Sequence, residues 1–311
     1  MVVFYLANGF SDPESVNRVE VISGQGWSTL GGIITLEMAK KLTPEEWWRG
    51  VLTGVDPALP ARTLRSIFRL IPNAPRCKFC NGPYQGIGGA IFRMIGKGPS
   101  TLTPQLCNQC YGFTSQHLGG TEVELTMLFA DVRGSTSLAA SMSPMGYSQL
   151  ISRFFGVANE VFIRSDALLN RLVGDQVIGL YVPGFAGPNH RAKAISAAQK
   201  LLRETGHTNS DGPWLPIGVG IHTGVAFLGS VGSYKQAVDI AVLGDPPNVA
   251  ARLSSSAATG EILISDDAYV RDMNLESLER RQLTLKGKSQ LFNVYVMPSV
   301  RTDRQFYRYD R

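Results

Sequence analysis

Two aspartates stand beside glycines at the ends of apolar runs, Asp131 in "FADVRGST" and Asp175 in "LVGDQV". Each follows or interrupts a strand-like run, so both carboxylates can emerge at the same edge of a sheet. A carboxylate pair without nearby thiols or imidazoles suits a hard cation such as Mg2+, which keeps waters and completes its shell with phosphate oxygens. Arg133, Gly134, Ser135 and Thr136 follow Asp131 as a turn whose backbone N–H groups and hydroxyls can cradle phosphate. Taken singly, each aspartate reads first as a turn or capping residue, and only their register across two strands makes a metal site. In "GDPPNVAARL", Asn248 and Arg252 are four apart on a helix that starts after Pro246–Pro247, so they share one face. Arginine offers a fork matched to phosphate and asparagine an amide that can orient a hydroxyl, although the same pair is common on ordinary surface helices.

The four cysteines lie together as Cys77-x2-Cys80-x26-Cys107-x2-Cys110. Two CxxC pairs at this distance form a paired knuckle, four thiolates around one tetrahedral ion. Zn2+ is the expected occupant, with an iron–sulfur cluster or a redox dithiol pair as alternatives. A closed shell of four thiolates leaves no open position, so the role is structural. Residues 57–120 also carry seven cations (Arg62, Arg65, Arg69, Arg76, Lys78, Arg93 and Lys97) and no Asp or Glu. That is either a solvated face balanced by its neighbours or a patch for a polyanion, nucleic acid or an acidic membrane surface.

These groups need a scaffold, and 311 residues with 44% apolar content can supply one. No apolar run reaches the ~18–20 residues that span a bilayer. The opening "MVVFYLANGF" lacks the basic flank and cleavage site of a secretory signal, so a soluble, cytoplasmic protein is expected. Residues 1–43 show no sustained period, and 1–37 are read as poorly ordered or as a peripheral strand pair. Thr43, Pro44 and Glu46 then signal a helix start. "ARTLRSIFRLIP" (61–72) places Leu64, Ile67, Phe68 and Ile71 on one helical face, and the glycine-rich stretch between the cysteine pairs reads as tight turns. From residue 121 strands alternate with helices: "VELTMLFADV", "SPMGYSQLISRFFGVANEVFIRS", "RLVGDQVIGLYV" as a strand, "NHRAKAISAAQKLLRET", "LPIGVGIHTG" and "GEILISDDAY". The domain boundary is placed near Gly119–Gly120. This gives 1–43 as N-terminus, 44–120 as a helical segment with the four-cysteine module, 121–298 as the strand-and-helix domain that carries the two aspartates and 299–311 as a polar tail. His190 and His207 read as surface residues, and Trp47 and Trp48 as packing for the N-terminal helix.

The motifs "LFADVRGST", "LVGDQV", "GVGIHTGVAFLGSVG", "VLGDPPNVAARL" and "LKGKSQLFNVYV", in this order, resemble the class III nucleotidyl cyclases, the family of adenylate and guanylate cyclases, over about residues 122–297. The resemblance implies an α+β fold, a ferredoxin-like βαββαβ core, preceded here by the small four-cysteine zinc-binding module. It also implies a head-to-tail homodimer with active sites at the interface. Carried over, Asp131 and Asp175 match the two metal-binding aspartates, for two Mg2+ or Mn2+ ions per site. Asn248 and Arg252 match the ribose-orienting asparagine and transition-state arginine, and Lys286 the lysine that contacts the triphosphate. The implied reaction turns a nucleoside triphosphate, ATP by default, into its 3′,5′-cyclic monophosphate and pyrophosphate. A similar cysteine-bearing segment precedes the cyclase domain in some bacterial members.

Two positions depart from the family pattern. Adenylate cyclases usually carry lysine where Arg171 stands, paired with Asp or Thr where Ala241 stands, and guanylate cyclases carry Glu and Cys. Arginine still donates hydrogen bonds, but its planar fork is not an ammonium, and alanine removes a polar partner. Losing such a partner costs ~1–3 kcal/mol of discrimination. UTP or CTP, the substrates of pyrimidine cyclases in this superfamily, is thus an open alternative. So are a catalytically silent regulatory fold and a nucleic-acid-binding role for the basic zinc module, whose partner the sequence does not identify.

Overall fold

The computed structural model describes residues 43–55, 67–68, 70–71, 75–77, 79–101, 106–168, 170–232, 239–273, 275–285, 287–288 and 291–299. Residues 1–37, most of the helix expected over 61–72 and most of the 299–311 tail lie outside them. Helix α1 (Pro44–Thr53) starts as expected, for Thr43 and Glu46 form a reciprocal capping box around Pro44. Trp48 is fully buried, its indole N–H donating to the His117 carbonyl at 2.8 Å, and Trp47 stacks on the His117 ring. The glycine-rich stretch is not a set of turns. Gly86–Met94 forms helix α2, whose buried Gly88 and Gly89 keep it close against the body. Helix α3 (Asn108–Gln116) follows.

A mixed sheet carries the rest. Its strands are β1 (Gly119–Val132), β2 (Asn170–Val173), β3 (Gln176–Tyr181), β4 (Ile217–Val231), β5 (Asp239–Leu243), β6 (Glu261–Ser265), β7 (Glu279–Thr284) and β8 (Leu291–Pro298). The helices between them are α4 (Ser135–Ser141), α5 (Pro144–Arg164), α6 (Pro183–Ala186), α7 (His190–Glu204) and α8 (Asp245–Ser256). The order is β2-β3-β1-β4-β6-β8-β7, with β5 paired to β4. Its first four strands, with α5 and α7 as crossovers, are the ferredoxin-like βαββαβ unit. "RLVGDQVIGLYV" is therefore a hairpin rather than one strand: β2 and β3 pair antiparallel from Val173↔Gln176, leaving Gly174–Asp175 as the turn. Gly174 has φ 65°, a conformation that a residue with a Cβ adopts only with strain.

Strand β1 reads as a continuous apolar run because both its faces are covered. Leu128, Ala130 and Val132 pack with α5 and α7 residues such as Phe154 and Ile195. Val123, Leu125, Met127 and Phe129 pack with Trp47, Trp48, Phe79 and all four cysteines. The helical segment and the sheet thus share one core, continuous across Gly119–Gly120.

His190 and His207 are not surface residues. His190 is buried at the start of α7, its Nδ1 2.8 Å from the Thr126 hydroxyl. His207 accepts from the Ile217 N–H through Nε2. His222 is buried beside the Ser265 hydroxyl. Burial lowers the pKa of all three from the ordinary 6.5. The unfolded chain then takes up protons near 6.5 that the folded chain resists, so stability present above that value is lost as pH falls through it. The melting midpoint should drop from about pH 7 to about pH 5, and His190→Gln should flatten that slope. A midpoint unchanged over this range contradicts the assignment.

Candidate active site

Asp131 ends β1, opposite Gln176 of β3 and Gly218 of β4. Asp175 is the residue before Gln176, so the hairpin turn brings it beside Asp131. The two aspartates expected to act together are thus neighbours in the fold. Burial raises the Asp131 carboxyl above its usual range, Arg133 opposes that, and the Asp175 charge adds to it. Oxygen donors gathered at a half-buried strand end fit a hard divalent cation.

Arg133 serves Asp131 directly. Its guanidinium is ion-paired with the Asp131 carboxylate and also donates to the carbonyls of Ser255 at 2.8 Å and Ala257 at 3.3 Å. Ser135 and Thr136 instead line an open cleft of about 440 Å³ with Tyr147, Ser148, Ser152 and Asp175. Gly134 is exposed just before α4, with φ 67°. Burial, then the charges of Asp175 and Asp131, raise the Tyr147 pKa, which places this phenol in the field of both carboxylates. Sequence reasoning missed Tyr147, Ser148 and Ser152. Their signal is the i,i+4 spacing of Tyr147/Ile151 and Ser148/Ser152 on α5, which sets both pairs on the helix face toward the cleft.

Ser255 was missed as well. Its hydroxyl lies 3.5 Å from the Asp131 carboxylate, held there because α8 packs directly on Gly220 of β4. A Cβ at Gly220 would stand 2.2 Å from the Ser254 nitrogen, so only glycine admits the helix. Asn248, Arg252 and Ser255 fall at i, i+4 and i+7 on α8. Asn248 is exposed near the N-terminal end, its amide donating to the Gly244 carbonyl at 3.2 Å. It sits about 10 Å along the helix from Ser255. One chain therefore joins Asp131 to Asp175 and Asn248 to Arg252, with Asn248 at the far end of α8 from the Ser255 that touches Asp131.

Arg252 is half-buried, and a Cβ on Gly287 would meet its guanidinium at 3.4 Å. Lys286 lies outside the described residues; the neighbouring Gly287 stands beside Arg252. Lys288 pairs with Asp245 and holds this turn to the start of α8. For Arg171 the backbone alone is described, opposite Ile178 in the hairpin. Ala241 is half-buried on β5, opposite Gly229.

The cysteines form a second centre. All four are buried, and their Sγ atoms lie within 4.8 Å of one another. Cys80 and Cys107 are 3.9 Å apart, close to the ~3.8 Å that a tetrahedral zinc thiolate site requires. The Cys107 N–H donates to Cys77 Sγ at 3.2 Å. Burial works against ionising Cys77, yet hydrogen bonds from Cys107, Cys110 and Cys80 hold it well below the usual thiol range. Buried, mutually facing thiols with backbone donors to sulfur are the donor set of a closed zinc site.

The basic segment around them is partly committed. Arg76 donates to the carbonyls of Phe68 and Asn81, both at 3.0 Å, and Arg93 to that of Tyr84 at 2.7 Å. No described helix is long and apolar enough to cross a membrane.

Known proteins resemble this chain in sequence and fold. The adenylate cyclase of Anabaena cylindrica is 27% identical over 184 residues, 55% of this chain and 36% of that protein. Adenylate cyclase 1 of Rhizobium meliloti is 27% identical over 236 residues, 71% of this chain and 34% of that protein. The chain thus spans about a third of the length of these curated relatives. The crystal structure of the adenylyl cyclase CyaB from P. aeruginosa superposes with a TM-score of 0.50 at 25% identity, covering 59% of this chain and 98% of that one. The guanylyl cyclase Cya2, at a TM-score of 0.50 and 24% identity over 58% of this chain and 93% of its own, shares the fold. Residues 120–298, more than half of the chain, match the adenylate and guanylate cyclase catalytic domain, and the chain belongs to that family.

Proposed function

We propose that the protein is a nucleotidyl cyclase, forming a 3′,5′-cyclic monophosphate and pyrophosphate from a nucleoside triphosphate, ATP by preference, at a homodimer interface. The observation that carries this is the meeting of Asp131 and Asp175 at a strand end beside a hydroxyl-lined cleft. They would hold two Mg2+ or Mn2+ ions, which when bound supply Lewis-acid activation of the 3′-hydroxyl and neutralise the triphosphate. Ser135 and Thr136 bind phosphate oxygens, with Lys286 and Arg252 adding positive charge. Asn248 orients the ribose so that its 3′-oxygen lies in line with the α-phosphorus. The new O–P bond forms as the bond to pyrophosphate breaks, and the hydroxyl proton leaves to solvent. Arg252 stabilises the charge that develops on the α-phosphoryl oxygens. The preference for ATP rests on the relatives named adenylate cyclases. The four cysteines hold one structural Zn2+.

The separation of Asn248 from Asp131 along α8 supports a composite site, with aspartates from one protomer and Asn248 and Arg252 from its partner. Asp175→Ala and Arg252→Ala are each expected to be inactive alone. Mixed and re-equilibrated, they should regain roughly a quarter of wild-type activity, since about half the dimers are mixed and each has one intact site. No recovery from folded, mixed dimers rejects the shared site.

A second reading, a pyrimidine cyclase, is favoured by one observation: Ala241 offers no polar side chain where adenylate and guanylate cyclases carry one. Mass spectrometry of products from ATP, GTP, CTP and UTP, incubated separately with Mg2+ or Mn2+, decides the base. Cyclic AMP as the main product is expected; a cyclic pyrimidine means that Arg171 and Ala241 have rebuilt the pocket. No product from any nucleotide would leave a regulatory fold.

A further inference from the structure

Helix α2 turns its large side chains the wrong way for a soluble domain. Ile87, Ile91, Met94 and Ile95 fall at i, i+4, i+7 and i+8, one continuous stripe, and all are exposed, Ile87 by 83% and Met94 by 87%. The opposite face packs Gly88 on Ile71 and Pro83, Gly89 on Tyr84 and Phe92 on Phe68. A neighbouring helix adds to it. Phe113, half-exposed, is one turn of α3 beyond Gln109, which donates to the Ile95 carbonyl at 3.1 Å. An apolar patch of this kind marks an interaction site.

The charge around it selects the partner. No Asp or Glu occurs between Asp56 and Glu122, while seven cations do. Arg76 and Arg93 donate to backbone carbonyls and keep their charge while doing so. A second copy is a poor occupant, because a two-fold contact would press this all-cationic segment onto itself. Nucleic acid would use the cations but gains nothing from an isoleucine and methionine stripe. We propose that α2 docks the protein on an anionic lipid surface, its apolar stripe entering the headgroup boundary and the net positive charge of residues 57–120 drawing that segment to acidic headgroups. This reading is independent of the cyclase activity.

Sedimentation of the full chain, metals retained, with lipid vesicles tests it. Vesicles containing about 30% phosphatidylglycerol in phosphatidylcholine should carry the protein down, and phosphatidylcholine alone should not. Ile91→Ser/Met94→Ser should weaken binding at least ~10-fold, and about 0.5 M salt should weaken it too. Nucleotide turnover and melting midpoint of that variant should match the parent. No binding to either vesicle, or binding the variant leaves unchanged, overturns the proposal. So does a self-associated state, without vesicle binding, that the variant abolishes, which would assign the face to a contact between copies. Retention on duplex DNA in place of vesicles would assign it to nucleic acid.

Discussion

Asp175→Asn should lower kcat on the order of a thousandfold and leave the melting midpoint nearly unchanged. The substitution keeps the shape of a half-buried turn residue and removes only the negative charge. Cation-mediated stabilisation supplies several kcal/mol, and about 4 kcal/mol corresponds to roughly three orders of magnitude in rate. The stability half of the expectation follows from position: Asp175 lies on a hairpin turn whose conformation is set by Gly174. Asp131→Asn should behave differently. It silences the site and also strips Arg133 of its ion-pair partner in a largely buried setting, costing about 1–3 kcal/mol of stability. Parallel kinetic and melting curves for both variants separate the effects. Near-normal turnover in folded Asp175→Asn would sink the carboxylate reading.

Cys77→Ser should be the most damaging single change to the fold. A structural zinc site contributes about 10–16 kcal/mol of binding free energy in small peptides, comparable with the whole stability of a domain. Removing one thiolate also leaves a gap in the core cluster that holds Trp48, Phe79, Leu125 and Met127. A loss of about 5 kcal/mol moves the midpoint of a chain this size by roughly 10–20 °C. Metal analysis should find one zinc per parent chain and none in the variant. Tryptophan near-ultraviolet dichroism should fade with it, because Trp47 and Trp48 pack on that cluster. A variant with parental midpoint and dichroism rules out a structural centre.

Much of the site was legible because its chemistry is local in sequence. Asp131, Asp175 and the Asn248/Arg252 pair each sit in a short motif whose glycines and prolines announce a turn or a helix start. The cysteine quartet was legible for the same reason, since each CxxC turn presents its own two thiolates. What escaped was set by tertiary packing. "LVGDQV" looks like an interrupted strand until β3 pairs with β1 and forces Gly174–Asp175 into a turn. The glycine-rich stretch became α2 because Gly88 and Gly89 fit against the body where larger residues would collide, which local propensity does not report. His190 and His207 sit in polar surroundings in sequence, yet Thr126 and the Ile217 N–H claim them in space. Ser255 reaches Asp131 only because Gly220 lets a helix rest on the sheet.

Helix α8 touches its own Asp131 through Ser255 at one end and presents Asn248 at the other. In a dimer with shared sites it becomes a stiff rod strung between two reaction centres, each end answering to a different one. A rod so placed would tie the two centres together, and they would then fill as a correlated pair rather than by independent chance.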